Sequence, residues 1–255
     1  MNHLETDDQA AVALRNADAA SPLVFVCEHA SARIPARFGD LGLAPEARSS
    51  HAAWDPGALA LAERLADWFG AVLVAATVSR LVIDCNRPPE APDAMPARSE
   101  IFDIPGNAKL DKAEREIRSQ SYYTPFHAAV AKAISDRSDP ILVTVHSFTP
   151  VYNGVRRAVE LGFLHHDDAR LARACLAREQ AAGTYRAALN EPYGKADGVT
   201  YTLARHGEAR GLAPLMIEIR NDLIATTDTA QPMAAHLAGT PAAAQAALDT
   251  AEAAR

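Results

Sequence analysis

The sequence predicts an α/β fold: a single domain with a mixed, mostly parallel sheet flanked by helices. Three observations carry that expectation. Short apolar runs rich in β-branched residues recur at 23–27, 71–76, 141–145 and 214–217, and such runs read as buried strands of a parallel sheet. Between them lie stretches with apolar residues at helical spacing, which is α/β order. The 255 residues suit one such domain with a large core. Residues 1–20, polar and acidic at the start, are expected to be loosely ordered, and 21–255 to form the domain.

Taken in order, the run 23–27 follows Pro22 and ends in Glu28-His29. Asp55-Pro56 opens a helix to about Phe69, because Asp before Pro is a common N-cap with Pro at the first helical position. Leu61, Leu65 and Trp68 fall on one face of it, and Gly70 ends it. The stretch 71–76 is the next strand. The run 79–88 reads as a third strand, Leu81-Val82-Ile83 leading into Asp84-Cys85-Asn86-Arg87 before Pro88-Pro89 stop it. Residues 90–106 hold prolines and charges without an apolar period, a long loop expected to cover a site. Helices are expected over 111–123 and, capped by Thr124-Pro125, beyond it. The run 141–145 ends in His146-Ser147, and 149–157 is a further candidate site loop. A strand over 159–164, a helix from Asp167 to about Gln180, a turn-rich 190–194 and a strand through 214–220 come next. The Ala-rich stretch from Gln231 is expected to be helical.

Chemistry gathers at the ends of these strands. In open α/β sheets the ligand site lies at the carboxyl ends of the strands, so His29 and His146 are delivered to that edge. Neutral imidazole serves as a metal ligand or a general base. Arg80 and Arg87 offer planar forks that match a carboxylate. Asn86 adds an amide, and Asp84 is expected to hold Arg87 or Arg80. Glu218 alternates with Ile217 and Ile219 and so sits among apolar residues; burial raises a carboxylate pKa towards general-base use. The alternative for Glu218 is an ion pair with Arg220. The loop His206-Gly207-Glu208-Ala209-Arg210-Gly211 could contact a substrate or be an exposed turn.

Composition narrows the class. Hydrophobic residues make up 49% and charged residues 22%, which fits neither a disordered nor a membrane protein. The net charge of −7 and the lack of a basic run argue against nucleic acid. Nothing at the N-terminus has the form of a signal peptide, so a cytoplasmic location is expected. The three cysteines show no metal or redox spacing. Cys27 and Cys85 read as core residues; a nucleophilic Cys27 is disfavoured because strand neighbours do not face each other.

The segments Cys27-Glu28-His29-Ala30-Ser31, Ser79-Arg80, Asp84-Cys85-Asn86-Arg87-Pro88, His146-Ser147-Phe148 and Ile217-Glu218-Ile219-Arg220-Asn221-Asp222 resemble the N-formylglutamate amidohydrolase family. The order His, Asn-Arg, His, Glu is similar to that of the zinc carboxypeptidases and aspartoacylase. The resemblance implies a zinc-carboxypeptidase or phosphorylase/hydrolase-like fold and a zinc amidohydrolase cutting a small anionic N-acyl amino acid, N-formylglutamate above all. It implies His29 and His146 as metal ligands, Glu218 as general base, Arg80 at the oxyanion or a second carboxylate, and Asn86, Arg87, Ser147 and His206 on the substrate. The carboxypeptidase pattern has its acidic ligand three residues after the first His, where this chain has Ala32. Asp55 is the first replacement, Glu28 the second and His51 a weaker third. That departure leaves open a non-catalytic binder of an anionic ligand, beside hydrolysis of another N-acyl amino acid or small peptide. No membrane partner is expected, and an oligomer is compatible with the sequence.

Overall fold

The computed structural model describes residues 10–241, 245 and 246. Its strands are β1 Val12–Arg15, β2 Leu23–Cys27, β3 Val72–Ala76, β4 Arg98–Ser99, β5 Phe102–Asp103, β6 Ile141–Phe148, β7 Val151–Tyr152, β8 Val155–Arg156, β9 Leu161–Leu164, β10 Ala187–Leu189 and β11 Leu215–Arg220. Its helices are α1 Pro45–Ser49, α2 Ala58–Phe69, α3 Lys112–Arg118, α4 Thr124–Ser135, α5 Arg170–Ala182 and α6 Thr227–Leu237. Seven strands form one sheet in the order β1-β3-β2-β6-β11-β9-β10. The central four run parallel. β1 joins β3 and β9 joins β11 antiparallel, and β10 follows β9 in parallel. The sheet is therefore mixed and mostly parallel, as the strand runs predict.

Strand alternation divides the core. Leu23, Phe25 and Cys27 of β2 join Val143, Val145, Ile217 and Ile219 on one face, under α2, α5 and α6. Val24 and Val26 turn to the other face, against Phe126, Val130 and Ile134 of α4. Helix α2 begins at Ala58, later than the Asp55-Pro56 signal suggests, from Gly57 at φ 83. A Cβ at Gly57 would collide with the Ile224 carbonyl oxygen. The backbone thus turns tightly there, and the Asp55 side chain serves something other than a cap.

Four expectations need correction. The run 79–88 is not a strand: Ser79 N donates to Arg33 O and Asp84 N to Ala94 O, so its backbone is satisfied by loops. Leu81, Val82 and Ile83 are buried instead in a small core with Leu43, Met95 and Ile104; a short apolar run does not by itself distinguish a strand from other buried chain. Helices α3 and α4 are not separated, because a π-helical turn, Ser119–Tyr123, joins them. Helix α5 starts from Ala169 rather than Asp167, with the Asp168 side chain accepting from Arg170 N. Within 1–20, Val12–Arg15 forms the edge strand β1, while residues 1–9 lie outside the described residues. The Ala-rich C-terminal stretch is helical in α6 up to Leu237, and most of the chain beyond 241 also lies outside the described residues. Among the described residues no helix is long and apolar enough to cross a membrane.

Candidate active site

A cavity of about 250 Å3 opens at the carboxyl edge of the central strands, lined by residues that include His29, Asp55, Arg80, His146 and Glu218. Each side chain arrives by a distinct element. His29 follows β2. His146 lies in β6, and Glu218 is its register partner on the adjacent β11. Asp55 is fixed from the next loop by its own N–H, which donates to His29 O at 2.9 Å. Gly162 of β9 sits opposite Glu218, where a Cβ would come 3.2 Å from that of Glu218.

His29, Asp55 and His146 converge. One donor atom from each lies within 4.8 Å of the others. Asp55 Oδ2 stands 3.4 Å from His29 Nδ1 and 3.0 Å from His146 Nδ1. The far side of each ring meets a second carboxylate. His29 Nε2 is 2.8 Å from Asp84 Oδ1, and His146 Nε2 is 3.0 Å from Glu28 Oε2. A ligating histidine normally has such a partner on its other nitrogen, which fixes tautomer and ring orientation; the Asp84 contact is a hydrogen bond, while the Glu28 contact is an ion-pair approach outside hydrogen-bond geometry. Glu28 therefore stands behind His146, on the other side of the ring from Asp55, and Asp55 is the acidic member of the cluster. Asp84 backs His29 and accepts from Asn86 N at 2.7 Å, which corrects its expected pairing with Arg87 or Arg80.

The electrostatics suit a cation. Burial alone would raise the Asp55 carboxyl, but His29 and Arg80 hold it well below the usual carboxylate range. Burial would lower His146, yet Glu28 and Asp55 carry it well above its usual value. Asp55 Oδ1 is buried and accepts no hydrogen bond, with Arg80 Nη1 and His51 Nε2 3.3 and 3.4 Å away. Two imidazoles and a carboxylate with an uncommitted oxygen form a donor set of the kind that holds zinc. Glu218 is the opposite case. Burial pushes its carboxyl up to about 7, and its buried Oε2 has no hydrogen-bond partner. Arg220 does not neutralise it, because that guanidinium pairs with Asp222 at 2.8 Å and Glu160 at 3.4 Å.

The chain matches the N-formylglutamate amidohydrolase family over residues 21–225. It belongs to that family. A crystal structure of a gene product of Agrobacterium tumefaciens is similar at 50% identity and a TM-score of 0.91, over 94% of this chain and 97% of that one. A crystal structure of N-formylglutamate amidohydrolase from Ralstonia eutropha JMP134 shares the fold at 22% identity and a TM-score of 0.65, over 93% and 98%. No curated protein matches the chain. Family membership makes the chain an amidohydrolase.

The remaining expected site residues divide. Arg80 lies beside the cluster, its Nε donating to Ala52 O at 3.1 Å and Nη1 standing 3.2 Å from His29 Nδ1. Asn86 and Arg87 line the cavity but also act as struts. Asn86 Nδ2 donates to Val199 O, and its Oδ1 accepts from Thr202 N at 3.0 Å. Arg87 donates to Asp93, Gly198 O and Asp197 O. Ser147 lines the cavity, with its N–H on Asp55 Oδ2 at 3.2 Å and its hydroxyl donating to Pro56 O at 2.8 Å. His206 is not among the lining residues. It is buried against α4, with Nε2 2.7 Å from His127 Nδ1, and burial pushes its pKa down to about 4. Within the glycine-bracketed loop His206 thus packs inward, while Ala209, Arg210 and Gly211 are exposed.

The structure adds residues that sequence reasoning missed. Glu100, Tyr152 and Tyr193 line the cavity, and the Tyr193 hydroxyl accepts from Arg157 Nη2 at 2.8 Å. All three lie in stretches read as loops or turns, and a loop's composition does not say which side chain turns inward. His51, the weak third ligand candidate, instead donates from Nε2 to Ser147 O at 2.7 Å.

Proposed function

We propose that this protein is a zinc-dependent amidohydrolase that cleaves N-formyl-L-glutamate, or a similar small N-acyl amino acid, to formate and the free amino acid. The observation that carries the reading is the convergence of His29, Asp55 and His146 beside the unpaired, buried Glu218. His29, His146 and Asp55 would hold the ion, which supplies Lewis acidity towards the acyl oxygen and an acidified water. Glu218, with its carboxyl at about 7, is matched to accept a proton at neutral pH and return it to the leaving amine. Arg80 stands beside the cluster to meet negative charge on the acyl oxygen. Arg87 commits one of the two Nη2 hydrogens to Asp197 O and keeps the other for a substrate carboxylate, with Asn86 bracing it. Ser147 steadies Asp55 through its N–H. A small formyl group fits the modest cavity. The three buried, unpaired cysteines suit a reducing cytoplasm.

The test is direct. Removing divalent metal with a chelator is expected to abolish hydrolysis of N-formyl-L-glutamate, and zinc to restore it. Full turnover by metal-free protein would overturn the reading.

A further inference from the structure

The hairpin β4–β5 reaches into the site through one side chain. Arg98 pairs with Asp103 and Ser99 with Phe102 in antiparallel register, leaving Glu100 and Ile101 as the turn. Just past the hairpin, buried Ile104 anchors it in the small core, with its N–H on Ala97 O. Ile101 points to solvent, 70% exposed. Glu100 is exposed as a residue, but its side chain turns inward: it is a quarter exposed, and Oε1 lies 3.0 Å from His51 Nδ1.

Two features mark Glu100 as more than a surface turn residue. First, its φ is +52. A residue with a Cβ is strained in that left-handed region, and Gly or Asn would occupy it at less cost. A strained residue held against its preference is a pointer to function. Second, its partner is at the centre of the site. His51 Nε2 donates to Ser147 O and stands 3.4 Å from Asp55 Oδ1. Ser147 N donates to Asp55 Oδ2. His51 thus closes a frame around Asp55, and the ring's other nitrogen faces both Glu100 and Arg80 Nη2 at 3.2 Å. Without Glu100, the ring nitrogen is left to Arg80 alone.

We propose that Glu100 is a positioning residue: from the hairpin tip it orients His51, and through His51 it holds Asp55 and Ser147 in their working geometry. The assignment rests on the functional reading above and adds to it an outer residue from a separate element.

The experiment compares Glu100→Asn, Glu100→Gln and Ile101→Ser in the full chain. Asn accepts the left-handed backbone but is too short to reach His51. It is expected to keep or raise the melting temperature while kcat for N-formyl-L-glutamate falls about 10–100-fold, as losses of outer partners do. KM should move little. Gln keeps the length, and its amide offers the ring nitrogen either an oxygen acceptor or an N–H donor, so it should restore most of kcat. Ile101→Ser, on the same turn, should leave kcat unchanged. Parent kcat in Glu100→Asn, or equal losses in Asn and Gln, would overturn the assignment. Failure of the functional reading looks different: the parent itself would not turn over. In that case release of bound zinc to a chromogenic chelator decides, with faster release from Glu100→Asn expected and equal release overturning the role.

Discussion

Replacing Glu218 with Gln separates chemistry from stability, because the two respond in opposite directions. Glu218 is 4% exposed, and burial raises its carboxyl from 4.5 to about 7. A carboxyl whose folded pKa lies above its unfolded one costs stability wherever the unfolded chain would ionise it. The cost is absent below about pH 4, grows between there and pH 7, and is complete above that. At 1.36 kcal/mol per pH unit, the interval is worth roughly 3 kcal/mol. Gln is neutral throughout and nearly isosteric, so metal-stripped Glu218→Gln should be more stable than its parent by up to that amount at pH 8. At about 2–4 °C per kcal/mol for a chain of this size, that is a rise on the order of 5–10 °C in Tm. At pH 4 the two proteins should melt together. Turnover should meanwhile fall at least about 10²–10⁴-fold, the usual contribution of a general base. Tm by calorimetry at both pH values and kcat at pH 7.5 on the zinc-loaded protein check both halves. Near-parent kcat, or a lowered Tm at pH 8, would refute the reasoning and return Glu218 to a structural partner.

The same contacts set further outcomes. Asp55→Ala should lose bound zinc, whereas Glu28→Gln should retain it with affinity weakened about 10–100-fold; competition with a chelator of known affinity ranks them. Arg87→Lys should lower kcat/KM by roughly 10–100-fold, since Lys cannot keep the bonds to Asp93, Gly198 and Asp197 that aim the one free N–H, and a charged hydrogen bond is worth about 1.5–3 kcal/mol. The loss should be smaller for an amidated substrate, which steady-state kinetics on both substrates would show. His206→Asn should lower Tm through its lost bond to His127 while leaving kcat and KM near parent; a raised KM would return His206 to the substrate.

Much of the fold and the cluster were legible in the sequence because strand physics is local. The alternation in β2 and β11 and the placement of His29, His146 and Glu218 derive from runs of five or six residues. Asp55 was harder to read, since Asp-Pro carries a helix-cap signal, and only the Ile224 carbonyl against Gly57 shows why the turn frees its carboxylate. The carboxylates behind the rings were not assignable from spacing. Glu28 and Asp84 meet their histidines across 118 and 55 positions of chain, by tertiary contact. The error over 79–88 has a similar cause, because loops rather than a strand took up its backbone donors. Glu100 carried no local mark, as a positive φ on Glu is set by the hairpin and not announced by its neighbours.

The central claim is that His29, His146 and Asp55 share one divalent ion. Diffraction from crystals grown with zinc, with data taken above and below the zinc absorption edge, tests it most directly. One strong anomalous peak is expected, bonded to His29 Nδ1, His146 Nδ1 and an Asp55 oxygen. A peak held by other residues, or none at this cluster at full zinc occupancy in solution, would contradict it.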